Sequence, residues 1–367
     1  MSGVPTAPAV TPAAVPDPVD WALARCVAHF VSGRDPLADS YLAASLQADF
    51  DALTVRAEAL VAEYTGLRAP GAATARVLDR NHWVDSNITS MQTMLEPLMQ
   101  RFGARLARSP FAPISRRFAA TELGALLGYL SQRVLGQYDL LVPGNGSGDD
   151  LGDAVYYVGG NILSLEKRFA FRPGDFRLWI AIHEVTHRAQ FTGVPWMRDY
   201  FLGLVRQALD LVDPDPRSVI RAVSSAVEEM RSGRNPLDEG GLVGLFASPE
   251  QRGVLGQVQA LMSLLEGHGN VVMDDLGKDH VAGQERMSRV LQQRRAAGGL
   301  TGLLHKLLGI EQKLRQYEIG EGFVRGVYAQ AGPRALDRVW DAPANLPTVA
   351  ELAAPAQWLA RVESARV

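Results

Sequence analysis

From Asp20 onward, apolar residues recur every three to four positions, the spacing of one helical face. Trp21, Ala24, Cys26, Val27, Phe30 and Val31 share such a face, and Asp39 to Thr65 has no glycine or proline to interrupt a second helix. A third segment, Asn81 to Phe102, carries Trp83, Val84, Ile88, Met91, Met94, Leu95 and Leu98 at the same spacing, with Pro97 as a candidate kink. Pro110 and Pro113 break the chain before a helix predicted from Ser115 to Leu135. The pattern then changes to Gly- and Asp-rich sequence with two short apolar runs, Tyr138–Val142 and Ala154–Val158. These predict an antiparallel hairpin turned by the PGNGSGDD sequence between them. Helical periodicity returns at Phe176 and continues to Ala331, with breaks expected at Pro214–Pro216, Gly233–Gly244, Gly277 and Gly298–Gly299. Residues 332–367 are punctuated by proline and predict a segment that wraps the surface. Residues 1–19, rich in proline and alanine, predict a disordered tail. The expected fold is mainly α (α+β): a helical bundle with one small antiparallel sheet. It forms a single domain over 20–367, with an N-terminal helical part (20–134), a core (135–331) and the C-terminal wrap.

Composition removes several functions. A net charge of −3 argues against a bulk nucleic-acid binder. No run of 18 apolar residues predicts a membrane span, and the first residues lack the basic and apolar regions of a secretory signal, so a cytoplasmic protein without a membrane partner is expected. Cys26 is the only cysteine, which excludes an intramolecular disulfide and a cysteine-based zinc cluster. Any metal site must draw on Asp, Glu and the seven histidines.

The strongest chemical signal is His183-Glu184-Val185-Thr186-His187, within a helix predicted from Phe176 to Phe191, with Asp175 as its N-cap and Gly193 as its stop. Residues four apart stack one turn apart on a helix, so His183 and His187 can present two imidazoles to one Zn²⁺. Glu184 lies one step round the helix and can reach a water bound to that ion. The flanking Trp179-Ile180-Ala181-Ile182 makes the helix a buried one, where polar side chains need partners. A third ligand is required, and the downstream candidates are Glu228, Glu229, Glu266, His268, Asp274, Asp275 and His280. The sequence favours Glu266, which follows the apolar run Val258–Leu265 and precedes Gly267-His268-Gly269-Asn270; His268 is the alternative. Gly267 and Gly269 would let another helix approach closely, and Asn270, at i+4, could orient a ligand.

HEVTHRAQF, LLEGHGNVVMD about 80 residues later and LGIEQKLRQYEIGEGFV near the end resemble a family of zincin-like hydrolases of gluzincin type. WVDSNITSM, YYVGGNI, RRAAGGL and VWDAPANLPTVAEL extend the resemblance over nearly everything from Asp20. The family is found mainly in GC-rich bacteria, and some members carry a label linking them to biosynthesis of a deazaflavin coenzyme. The resemblance implies zinc ligands at His183, His187 and Glu266, with Glu184 as the catalytic carboxylate. Gluzincins often carry aspartate where this chain has Asn270, whose amide still hydrogen-bonds a histidine but adds no charge.

Hydrolysis at such a site also needs an electrophile for the oxyanion, and Tyr317 and His268 are candidates. The strand before the metal-site helix, with Tyr157, Gly159 and Asn161, is expected to line the cleft and pair with an extended substrate. Arg294 and Arg295, in a cluster with Arg286 and Arg289, could bind a phosphate or carboxylate. The expected function is a zinc-dependent, metallopeptidase-like hydrolase of a peptide or small amide-containing substrate. The alternative is a catalytically silent zinc-binding scaffold of the same fold. Oligomeric state is left open.

Overall fold

A computed structural model describes residues 17, 19–35, 37–107, 112–140, 153–211, 249–296 and 311–364. Helix α1 (Trp21–Ser32) starts where the Asp20 carboxylate accepts the Leu23 N–H at 3.1 Å. Helices α3 (Arg80–Ala107) and α4 (Ala112–Ser131) pack against it. The contact of α1 with α4 is backbone to backbone, because a Cβ on Gly124 or Gly128 would lie 2.4 or 2.5 Å from the carbonyl oxygen of Ala24 or Ala28. Trp83, Val84, Ile88, Ala28 and Leu127 close a small core there. Helix α3 runs through Pro97 undivided.

The sheet is mixed, not antiparallel. Strands β1 (Thr74–Leu78), β2 (Gly136–Tyr138) and β3 (Ala154–Val158) lie in the order β1-β3-β2. The expected hairpin pairing exists, with Gly136 opposite Tyr157, although β2 begins two residues before the predicted strand and ends at Tyr138. Its PGNGSGDD turn lies outside the described residues. β1 joins β3 on the other side in parallel, Thr74 opposite Ala154 through Leu78 opposite Val158. A parallel neighbour needs a long crossover, here containing α3 and α4. β3 is therefore a central strand, and all five of its residues are buried. Its unbroken apolar run suits that position.

Helix α2 (Leu46–Thr65) covers the sheet, with Phe50 stacked on Tyr157 at 3.8 Å between ring centroids. Helices α5 (Gly159–Phe169), α6 (Pro173–Thr192), α7 (Met197–Asp210), α8 (Pro249–His280), α9 (Gln284–Ala296) and α10 (Glu311–Ala331) follow. α6 begins earlier than predicted: Arg172 is the N-cap and Pro173 opens the first turn, where a missing N–H costs nothing. Asp175 lies inside that turn, accepting the Ala282 N–H and pairing with Arg172. α8 passes straight through Gly277, which is no break. Its missing side chain leaves room for Gln284 and Trp179, whose atoms would lie 2.5 and 3.3 Å from a Cβ. The breaks expected at 214–216, 233–244 and 298–299 lie outside the described residues.

The C-terminal segment is part of the core, not a surface wrap. Short 3₁₀ turns (Pro333–Trp340, Pro343–Asn345) and helices α11 (Val349–Leu352) and α12 (Pro355–Ser364) bury Leu336, Val339, Trp340 and Trp358. Trp358 donates its indole N–H to Asn345 O at 2.7 Å and packs edge-on against Phe323 of α10. Trp358→Ala should cost about 3–5 kcal/mol, the range for deleting a large aromatic from a packed core. Chemical denaturation measures this, and a loss under about 1 kcal/mol would mean the segment is peripheral.

Candidate metal centre

Nearly every residue of α6 from Phe176 to Phe191 is buried, polar ones included. Two arginines tie it to α2. Arg177 pairs with Glu166 of α5 and Asp49 of α2. Arg188 is held by Glu58 of α2, Asp153 and the carbonyls of Pro70 and Gly71. A different face of α6 presents His183 and His187 with their rings edge-to-face and their Nε2 atoms 3.2 Å apart.

Glu266 of α8 completes a triangle with them. Its Oε2 lies 3.8 Å from each Nε2, and the three side chains keep 15%, 12% and 23% of their surface open. Donors about 2.0–2.1 Å from a tetrahedral zinc stand roughly 3.3 Å from one another, so these distances need little closure. Two imidazoles and one carboxylate are also the right donor chemistry for that ion. Among the described residues this is the group of His, Asp and Glu side chains converging as a metal site.

Close approach by α8 makes the triangle possible. A Cβ on Gly269 would lie 3.3–3.4 Å from the imidazole atoms of His183 and His187. On its other side α8 presses on α10: a Cβ on Gly267 would lie 2.2 Å from the Gly320 carbonyl carbon, and one on Gly320 only 1.9 Å from Ser263 O. The glycines flanking His268 thus serve two different neighbours. His268 itself points away from the triangle. It is buried against Trp340, and its Nδ1 lies 2.9 Å from Gln190 Nε2. Burial, then the nearby His187, pushes its pKa down to about 3, so it is neutral at physiological pH. Asn270 is buried one turn beyond Glu266, and its Oδ1 has no hydrogen-bond partner among the described residues.

Glu184 is turned about 100° round the helix from His183 and faces β2. A Cβ on Gly136 would lie 2.5 Å from Glu184 Cγ and 2.7 Å from its Cδ and Oε1. Only glycine lets the strand pass so near the carboxylate.

Several residues expected to line the site are committed to other contacts. Tyr157 is fully buried, its hydroxyl 2.8 Å from Thr54 Oγ1. Gly159 is buried against Leu46 and Val77. Asn161 is consumed internally, donating to Ser131 O and Val134 O at 2.7 Å and accepting from Arg80 Nε at 2.9 Å. All three belong to the interior rather than to a cleft, because the strand they border is central in the sheet. Asp274 and Asp275 are engaged with Gln284, Lys278 and Tyr64, and His280 is exposed. Tyr317 lies on α10, and Arg294 and Arg295 on α9, but their side chains, like Glu228 and Glu229, lie outside the described residues. The residues missed are Gly136, Arg188 and Gln190. The last two had a signal: polar residues on a helix otherwise read as buried.

A family model for zincin-like metallopeptidases matches residues 19–359. The chain belongs to the zincin-like metallopeptidase family. A crystal structure described as "a putative hydrolase with a novel fold", from Chloroflexus aurantiacus, is similar at 31% identity and a TM-score of 0.69, covering 94% of this chain and 99% of that one. No curated protein matches. The family brings zinc hydrolase chemistry in general terms. Among the described residues no helix of this zincin-like protein is long and apolar enough to cross a membrane.

Gly136→Ala should displace the Glu184 carboxylate while leaving the His183–His187–Glu266 triangle in place. A crystal structure of the variant would show the movement, and misplacement by about 1 Å should lower turnover on the order of 100-fold. An unmoved Glu184 would show that β2 yields instead.

Proposed function

We propose that this chain is a zinc-dependent hydrolase of amide bonds, peptides foremost, with Glu184 as its general base. The observation that carries the reading is the convergence of His183 Nε2, His187 Nε2 and Glu266 Oε2, partly open to solvent, on the helix that also presents Glu184. Zinc held by these three side chains would supply Lewis-acid polarisation of a carbonyl and acidify a water molecule. Glu184 takes a proton from the attacking water and passes it to the leaving nitrogen; the C–N bond breaks and the water oxygen stays with the new carboxyl group. Tyr317, one turn before the Gly320 crossing, remains the candidate for holding the oxyanion.

An extended substrate is supported by β2. Leu135 O accepts from Val158 N and Asp139 N donates to Ala154 O, so residues 135 and 139 face β3. By the alternation of an antiparallel ladder, the backbone groups of Gly136 and Tyr138 face the opposite way, toward the sheet edge. A peptide paired there would run beside Glu184, which gives β2 the role first expected of β3.

Protein purified without added metal should carry about one equivalent of zinc by elemental analysis, and His183→Ala or His187→Ala should abolish it. Glu266→Gln should weaken affinity tenfold or more. Glu184→Gln should keep the zinc and lose hydrolysis of a fluorogenic peptide library. Zinc loss from Glu184→Gln would make that residue a ligand and overturn the assignment.

A further inference from the structure

We propose that Gln190 is a positioning residue: its one amide fixes the hydrogen of His187 on Nδ1 and locks α8 in register, so that Glu266 meets a lone pair on His187 Nε2. The proposal deepens the zinc-hydrolase reading and rests on it for the purpose of the device, though not for its geometry.

Gln190 lies three residues after His187 on α6 and is fully buried. Its Oε1 is 3.0 Å from His187 Nδ1. Its Nε2 is 3.0 Å from Leu265 O and 2.9 Å from His268 Nδ1. The orientation of the amide follows from the partner that has no choice. A backbone carbonyl only accepts, so the group facing Leu265 O must be the NH₂. Flipping the amide would set two acceptors against each other in a buried site, at about 1–3 kcal/mol for each group left unpaired.

With the NH₂ placed, Oε1 must face His187, and an amide oxygen only accepts. The hydrogen of that contact therefore belongs to His187 Nδ1. A neutral imidazole carries one N–H, so His187 Nε2 bears the lone pair, and Nε2 is the atom turned toward His183 and Glu266. The second N–H of the amide is spent on His268 Nδ1, which must accept. With Nδ1 accepting, the ring hydrogen of His268 belongs on Nε2.

The same amide acts on Glu266 as well. Leu265 is its chain neighbour, and the bond to Leu265 O joins α6 to α8 one residue before the carboxylate. A one-residue slip of α8 would break this bond and carry Glu266 off the imidazoles together. Glutamate at position 190 could accept from His187 but not donate to Leu265 O; asparagine is one methylene shorter; leucine or methionine offers neither group. Glutamine is the side chain that meets all three demands at this reach.

The test begins without metal or substrate. In metal-free protein labelled with ¹⁵N-histidine at pH 8, long-range ¹H–¹⁵N correlations report which ring nitrogen is protonated, with His187→Ala and His268→Ala supplying assignments. The expected result is hydrogen on Nδ1 of His187 and on Nε2 of His268. Hydrogen on Nε2 of His187 overturns the proposal. In Gln190→Leu the His187 preference should be lost and zinc affinity should fall roughly 10- to 100-fold, measured by competition with a chromogenic chelator. In Gln190→Glu the Nδ1–H form should persist while affinity stays below that of the parent, because the tie to Leu265 is gone. Parental zinc affinity in folded Gln190→Leu would also overturn the proposal. Failure of the hydrolase reading looks different: the tautomers stand as assigned, but the parent protein binds no zinc.

Discussion

Burial of α6 is the constraint on which the rest of the molecule depends. A helix that takes two arginines, two histidines, a glutamate and a glutamine into or against the interior must find a partner for each. Every unpaired buried group costs about 1–3 kcal/mol, and more when charged, against a typical total stability of only about 5–15 kcal/mol. The partners come from separate parts of the chain. α2 supplies Asp49 and Glu58 to the arginines, β2 lies against Glu184, and α8 brings Leu265 O, Glu266 and His268 to the remaining face. These three neighbours of α6 are therefore tied to its polar residues as well as to its apolar ones. A site with partly open ligands is thereby built on a helix that cannot easily shift.

Glycine does the complementary work. Where α8 meets both α6 and α10, contact is too close for a Cβ on Gly267 or Gly320 and tight even at Gly269. These positions set how deeply Glu266 reaches toward the imidazoles. Gly136 does the same for β2 and Glu184, and Gly124 and Gly128 for α1 and α4, far from the chemistry.

What could be read from the sequence was what is encoded locally. The helix bearing His183 and His187 shows in its apolar flanks, and the β2–β3 pairing shows in two apolar runs around a turn. Glu266 stood out as an acid between an apolar stretch and glycines, and the structure places it beside the two histidines. Features set by distant partners were hidden. β1 has five residues with only Ala75 fully buried, so no alternation marked it, and without it β3 looked like an edge. Asn161 resembled a cleft residue because a Gly-Gly-Asn sequence after a strand gives no sign that Arg80, Ser131 and Val134 will claim the amide. The C-terminal residues fold as 3₁₀ turns and short helices, whose burial has no long 3.6-residue repeat to follow.

The parallel pairing of β1 with β3 also bears on how the chain reaches its fold. Thr74 and Ala154 are partners separated by 154 − 74 = 80 positions. Such a contact has a high loop-closure entropy, and contacts of large sequence separation slow folding more than they limit stability. During synthesis β1 emerges well before its partner, and α3 and α4 must be accommodated before the strand can be matched. The central strand then arrives immediately ahead of α5 and α6 in the chain. The sheet cannot close before Ala154–Val158 has been made, and the helix that carries the candidate metal ligands follows directly on a strand whose parallel partner was made 80 residues earlier.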